Sequence, residues 1–256
     1  SGASIKTLSG AGGVTLGANT LTITTGADTY SGVMSGTGGL TISGGTQVLS
    51  GANTYTGNTN ITAGTLSVTG SLSDSTAVAV SSGATYNVGA SDTIRALSGA
   101  GSVTLNNNTL TIATATGTYS GVMSGTGSLT ISGGTQVLSG ANTYSGATTI
   151  NGGTLTISNN AGLGADNGGA VTVNSGATLD LASVTIGAKA VVLHGGTLSD
   201  ATSSLAGNIS LTDNSTINVN SGDTLTLSGV ISGSFGITKS GDGTLTLSGI
   251  NTYTGS

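Results

Sequence analysis

The chain has 256 residues, with 47 Gly, a single Phe and no Pro, Cys or Trp. Four Lys and Arg against nine Asp leave a net charge of −5, so no basic cluster exists to meet a phosphate backbone or an anionic membrane. The lack of Cys excludes disulfides and thiolate metal sites, and the scarcity of large side chains excludes a wide globular core.

In chain order the predicted elements are short strands. Leu21-Thr22-Ile23, Leu40-Thr41-Ile42, Leu66-Ser67-Val68, Val78-Ala79-Val80 and Leu110-Thr111-Ile112 share one pattern. Leu129-Thr130-Ile131, Leu155-Thr156-Ile157, Val171-Thr172-Val173, Leu225-Thr226-Leu227 and Leu245-Thr246-Leu247 continue it. Each buries two aliphatic side chains and turns a small one outward, because side chains in a strand alternate between faces. This regular alternation sets the chain apart from a flexible Gly/Ser linker. No stretch keeps helical spacing, no apolar run is long enough to span a bilayer as a helix, and no signal peptide is visible.

A long internal repeat overlies the strands. The segment Gly32–Thr56, GVMSGTGGLTISGGTQVLSGANTYT, recurs from Gly121 at an offset of 89 residues. A third copy begins at Gly229, 108 to 109 residues further on. If 89 residues hold four coils of about 22, the longer interval holds five, as expected of a solenoid that can gain a coil without disturbing the rest. The expected organisation is a single segment, 1–256, with long units at approximately 5–93, 94–201 and 202–256 (partial). The last unit stops at Asn251–Ser256, where the earlier copies continue, which reads as a fragment of something longer.

These features predict an all-β fold, a parallel β-helix (β-solenoid) of about 12 coils of roughly 20–22 residues with three strands per coil. Stacked at about 4.8 Å per coil, it makes a rod of roughly 55 Å. Small aliphatics fill its narrow interior, and Gly and Asn at the corners accept left-handed backbone angles. An antiparallel sandwich or barrel fits less well, because two-residue hairpin turns such as Asp242-Gly243 are few.

One element recurs in every long unit: Asn53-Thr54-Tyr55, Asn142-Thr143-Tyr144 and Asn251-Thr252-Tyr253, with Gly on both sides. Asn53, Tyr55, Asn142, Tyr144, Asn251 and Tyr253 are therefore candidate structural or surface-ladder residues. The Tyr could form an aromatic ladder for glycans or partners. Alternatively, Asn satisfies backbone groups at a corner while Tyr covers the coil edge, and the flanking Gly favour this reading.

The runs Gly243–Gly255, Gly51–Leu66 and Gly140–Leu155 resemble the autotransporter-associated β-strand repeat, and intervening coils share their texture across nearly the whole chain. The resemblance implies a right-handed parallel β-helix serving as the passenger of a type V secreted protein of Gram-negative bacteria. It further implies an extracellular, cell-surface location and a parent protein anchored by a C-terminal outer-membrane β-barrel outside this sequence. The implied functions are adhesion to host or neighbouring-cell surface molecules, self-association, or a stalk presenting a distal domain.

Catalytic chemistry is not expected. His194 is the single His, and any Ser-His-Asp arrangement must use it. Asp180 and Asp200 read as turn residues, and no GxSxG element marks a nucleophile. The nine Asp lie singly along the sequence rather than converging, which disfavours both Ca²⁺ sites and a carbohydrate-active β-helix enzyme. No metal or cofactor is therefore expected. Outward Thr in Thr20–Thr24 and Thr109–Thr111 could order water or ice, but Ser67, Ala79 and Ser210 at comparable positions make that array look irregular. Open parallel edges and low net charge favour self-association.

Overall fold

A computed structural model describes residues 2–255. All its strand ladders are parallel, and they wind into a right-handed β-solenoid of about 13 turns. All ten of the predicted triplets lie in strands.

The register defines three faces. On the first, an inward column runs Ile5, Ile23, Ile42, Ile61, Val80, Gly99, Tyr119, Leu138, Ile157, Leu181, Asp200 and Val219. The strand Ile237–Ser240 adds the thirteenth rung. On the second, Gln47, Leu66, Tyr86, Val103 and Met123 stack, and Ile186, Leu205, Leu227 and Leu247 follow higher up the rod. On the third, Ile94, Ile112, Ile131, Ile150, Val173, Leu193 and Leu211 form the column.

The coil is shorter than sequence arithmetic predicts. Most steps are 19 residues, as in Leu21 to Leu40 to Thr59 to Val78. Corners are tight enough for one strand, Leu40–Leu49, to bend across two faces through a local register shift at Ser43–Thr46. The widest step, Ile157 to Leu181, carries an excursion at 158–169. Asn159 Nδ2 donates to the Ser139 carbonyl there, and Asn160 Oδ1 accepts from the Thr185 amide.

This shorter coil changes the meaning of the long repeat. Thr41 lies on the first face, yet its equivalent Thr130 lies on the third. Likewise Val48 is on the second face and Val137 on the first. An interval of 89 residues is therefore four and two-thirds turns, not four, and the longer interval is five and a third, not five. Copies one and three stand ten whole turns apart and share a face: Leu40 and Ile237 both lie on the first. The motif can change faces because the three sides of the prism ask for the same thing, an alternating strand ended by a tight corner.

The interior also departs from the expectation of small aliphatics alone. Tyr30, Tyr55, Tyr86, Tyr119 and Tyr144 are among the largest fully buried side chains. Tyr30 and Tyr119 reach inner space left by Gly32 and Gly121, whose added Cβ atoms would stand 2.6 and 2.8 Å from the Tyr oxygens. Their hydroxyls donate to the carbonyls of Gly12 and Gly101 at 2.6 and 2.7 Å.

One close corner is a Gly stack. Gly45 and Gly64 both hold positive φ, 69° and 74°, and a Cβ on Gly64 would stand 2.3 Å from the Gly45 carbonyl oxygen. Gly83 has a similar φ of 81°, with open space around it. Gly83→Ala should therefore cost only the left-handed strain, about 1–2 kcal/mol. Gly64→Ala should cost clearly more, because the corner must also move. Urea denaturation of the two variants followed by circular dichroism checks the order, and equal losses would contradict it.

Candidate interaction face

The recurring Asn-Thr-Tyr element takes the place of a strand on one face and works as a clamp between coils. Asn53 Oδ1 accepts from the Met34 amide at 3.0 Å, one coil below. Its Nδ2 donates to the carbonyls of Gly51 and, one coil above, Ser71. Asn142 repeats the arrangement, accepting from the Met123 amide at 2.8 Å and donating to the Gly162 carbonyl at 2.7 Å. Asn251 accepts from the Ile231 amide at 2.9 Å. Tyr55 and Tyr144 are buried, with hydroxyls 2.7 and 2.6 Å from those of Thr59 and Thr148. Burial raises the pKa of both phenols, that of Tyr144 to about 12. Tyr253 is half-buried. None of these three Tyr forms an exposed aromatic ladder.

Two buried residues in the same repeat, Gln47 and Gln136, were not singled out from sequence although TQVLSG occurs in both copies. Gln47 Nε2 donates to the carbonyls of Leu8, Asp28 and Val48, and its Oε1 accepts from the Leu8 amide. The side chain thus ties its own coil to the two below. Gln136 repeats the donor half toward Leu97, Gly117 and Val137, but its Oε1 is buried with no partner.

The carboxylates are placed differently from the sequence reading. Asp180 and Asp200 are strand residues, not turn residues. Asp180 faces out and accepts from Thr156 Oγ1 at 3.1 Å, whereas Asp200 occupies a rung of the aliphatic column between Leu181 and Val219. Nor are all the Asp isolated: Asp74 and Asp92 line one groove of about 310 Å³, and Asp223 bears electrostatically on Asp200. Sequence spacing hides this, because coil stacking joins residues about 19 positions apart. Lys189 is fully buried, with Nζ donating to the Ala165 carbonyl at 3.0 Å and lying 5.9 Å from the centre of the Tyr144 ring. Burial lowers its pKa while Asp166 opposes that shift. His194 is exposed, with Nδ1 3.0 Å from Thr212 Oγ1. Among the described residues no group of three His, Cys, Asp or Glu could hold a metal ion.

The outward surface is more regular than the sequence suggests. On the first face Thr116, Thr135, Thr154, Thr178, Thr197, Thr216 and Thr238 stack in unbroken register over seven turns. At one coil spacing per rung this hydroxyl ladder is roughly 29 Å long. The next outward column holds Thr118, Val137, Thr156, Asp180, Ser199, Asn218 and Ser240, with Asp180 its one charge. A trough of about 530 Å³ runs beside Thr116 and Thr135, with Gly117 and Gly134 in its lining. The third face carries a shorter ladder of Thr93, Thr111, Thr130, Thr149 and Thr172. The long ladder was legible as Thr preceding an aliphatic in Gly153-Thr154-Leu155, Ala177-Thr178-Leu179 and Gly196-Thr197-Leu198. The outward Thr singled out from sequence, in Thr20–Thr24 and Thr109–Thr111, are not among these seven.

Removing either clamp should strand buried backbone groups, at roughly 1–3 kcal/mol for each group left unpaired. Asn142→Ala frees the Met123 amide and the Gly162 carbonyl, and should lower the thermal midpoint. Gln47→Leu should cost more than Gln136→Leu, because Gln47 satisfies an amide as well as carbonyls. Denaturation midpoints of the two Gln variants, measured side by side, check that ranking.

Residues 44–68, 133–157 and 237–256 match the family model of the passenger-associated-transport-repeat. The first two matches each cover strand, Asn-Thr-Tyr clamp, strand and strand, a little more than one turn. No curated protein and no solved structure matches the chain. The chain thus carries three segments similar to the passenger-associated-transport-repeat, built into one right-handed parallel β-helix.

Proposed function

We propose that the chain is a structural and adhesive segment of an exported passenger, working outside the cell through its lateral surface rather than by catalysis. The observation that carries this reading is the seven-turn Thr ladder on an otherwise nearly uncharged face of a rod that bears passenger-type repeats. Such a face offers methyls and hydroxyls at the coil spacing, with little charge to desolvate on contact. Its partners are surface molecules of a host or neighbouring cell, or another copy of the rod laid alongside. The Asn-Thr-Tyr residues and the buried Gln serve this function indirectly, by keeping the face flat. The sequence units at about 5–93, 94–201 and 202–256 are, in this proposal, descendants of one duplicated stretch. The parent's outer-membrane barrel and extracellular location belong to the same proposal.

The second reading, a stalk that holds another domain away from the cell, is favoured by the coil-to-coil bonding of the interior alone and needs no ligand. The paired variant Thr178→Lys/Thr197→Lys separates the two. It places two ammonium groups on adjacent rungs while leaving the core unaltered. For an adhesive face, binding of the purified rod to cells or matrix, or its self-association by sedimentation velocity, should fall at least about tenfold. A wild-type rod that neither binds nor self-associates supports the stalk.

A further inference from the structure

Two carboxyl groups stand where the stacking calls for aliphatic side chains. Asp200 is 0 % exposed, in register with Leu181 below and Val219 above, and neither carboxyl oxygen makes a well-formed hydrogen bond; the Ser203 hydroxyl and the Ser203 and Thr202 amides approach them and only partly oppose the effect of burial. The Ser203 hydroxyl beside it is committed to the Leu181 carbonyl. Asp92 is 6 % exposed and begins the third-face column continued by Leu110 and Leu129. It accepts from the Leu72 amide at 3.2 Å on both oxygens and from the Tyr86 hydroxyl at 3.4 Å.

The charges around both sites do not favour the ionised forms. Asp74 bears on Asp92, and the buried phenols of Tyr55 and Tyr86 adjoin it. The strand stacked above Asp92, Thr109–Ile112, has no titratable side chain, and the cation nearest in sequence, Arg95, is committed to the Ser75 carbonyl and Asn58. Asp223 bears on Asp200; of the two strands stacked against it, Ala177–Ala182 carries only the outward Asp180 and Ser215–Val219 carries none.

We propose that Asp92 and Asp200 make the cohesion of the rod acid-dependent: each carboxyl completes its inward column when neutral and loosens the neighbouring rungs when ionised. Burial, the largest effect at both sites, raises the pKa of Asp92 to about 6 and that of Asp200 above the ordinary carboxylate value. A folded-state pKa above the unfolded one means that the folded chain binds more protons. Stability therefore increases as pH falls through the folded value, and the gain is complete below the ordinary Asp value. For Asp92 the window runs from about 6 down to about 4.

The test compares hydrogen exchange and thermal unfolding of the rod at about pH 4.5 and about pH 7.5, after correction for intrinsic exchange rates. Protection of the coils around residues 92–110 and 197–219 should be greater in acid, while the coil around 129–150 should change less. The thermal midpoint should be higher in acid by at least about 2 °C. The double variant D92N/D200V keeps an acceptor for the Leu72 amide and restores an aliphatic rung. It should flatten both differences and exceed the wild type in stability at the higher pH. The seven remaining Asp are retained in it, so any slope that survives belongs to surface charge. Equal or greater wild-type protection at neutral pH overturns the proposal, as does an undiminished slope in a folded double variant. Should that variant fail to fold, the coil-by-coil comparison in the wild type decides alone.

Discussion

The structure depends on the close parallel stacking of backbone on backbone at the corners. Every coil lies directly on the one below, and turns such as Gly45 over Gly26 and Gly64 over Gly45 leave no room for a Cβ between them. Ladder hydrogen bonds then fix the register, so inward side chains form continuous columns rather than isolated contacts. Because each rung buries the last, stability accumulates along the rod through nearest-neighbour contacts.

This constraint explains why polar groups are admitted to the interior at all. Where the chain departs from a strand to turn a corner, backbone amides and carbonyls lose their ladder partners. Asn53, Asn142, Gln47 and the Tyr hydroxyls supply replacements from inside. Their side chains span a coil spacing, as Ser203 does in accepting from the Val184 amide and Thr76 in donating to the Tyr55 carbonyl. The sites that fail this rule, Gln136 Oε1 and the Asp200 carboxyl, are therefore conspicuous. They have the stacked geometry without a well-formed compensating hydrogen bond, and Asp200 with Asp92 gives the rod its proposed response to acid.

The lateral faces follow from the same register. An outward column inherits the spacing of the backbone, so a Thr repeated once per coil becomes a straight line of hydroxyls without any contact between those side chains holding it. The passenger-type repeat can occupy different faces, as its first two copies do, because each face accepts the same alternating strand and tight corner. The lateral surface of the rod is thus set by how many residues lie between copies as much as by the copies themselves.

Much of the architecture was legible in the sequence. Alternating triplets such as Leu129-Thr130-Ile131, the Gly-rich corners and the long repeat determined an all-β stack of parallel coils, because period-two burial and left-handed Gly angles are local properties. The Asn-Thr-Tyr element was recognisable as a recurring unit for the same reason, but it takes the place of a strand on a face rather than forming a corner. Only the tertiary structure decided the phase of the stacking. A coil of 19 rather than 22 residues depends on how sharply each corner closes, and a few residues' difference per coil moves every repeat to another face. That phase puts Asp200 between Leu181 and Val219, brings Asp74 to Asp92, and aligns seven Thr separated by 19 to 24 positions. These are relations between coils, and the hydrogen-bond register that creates them exists only once the chain has wound upon itself.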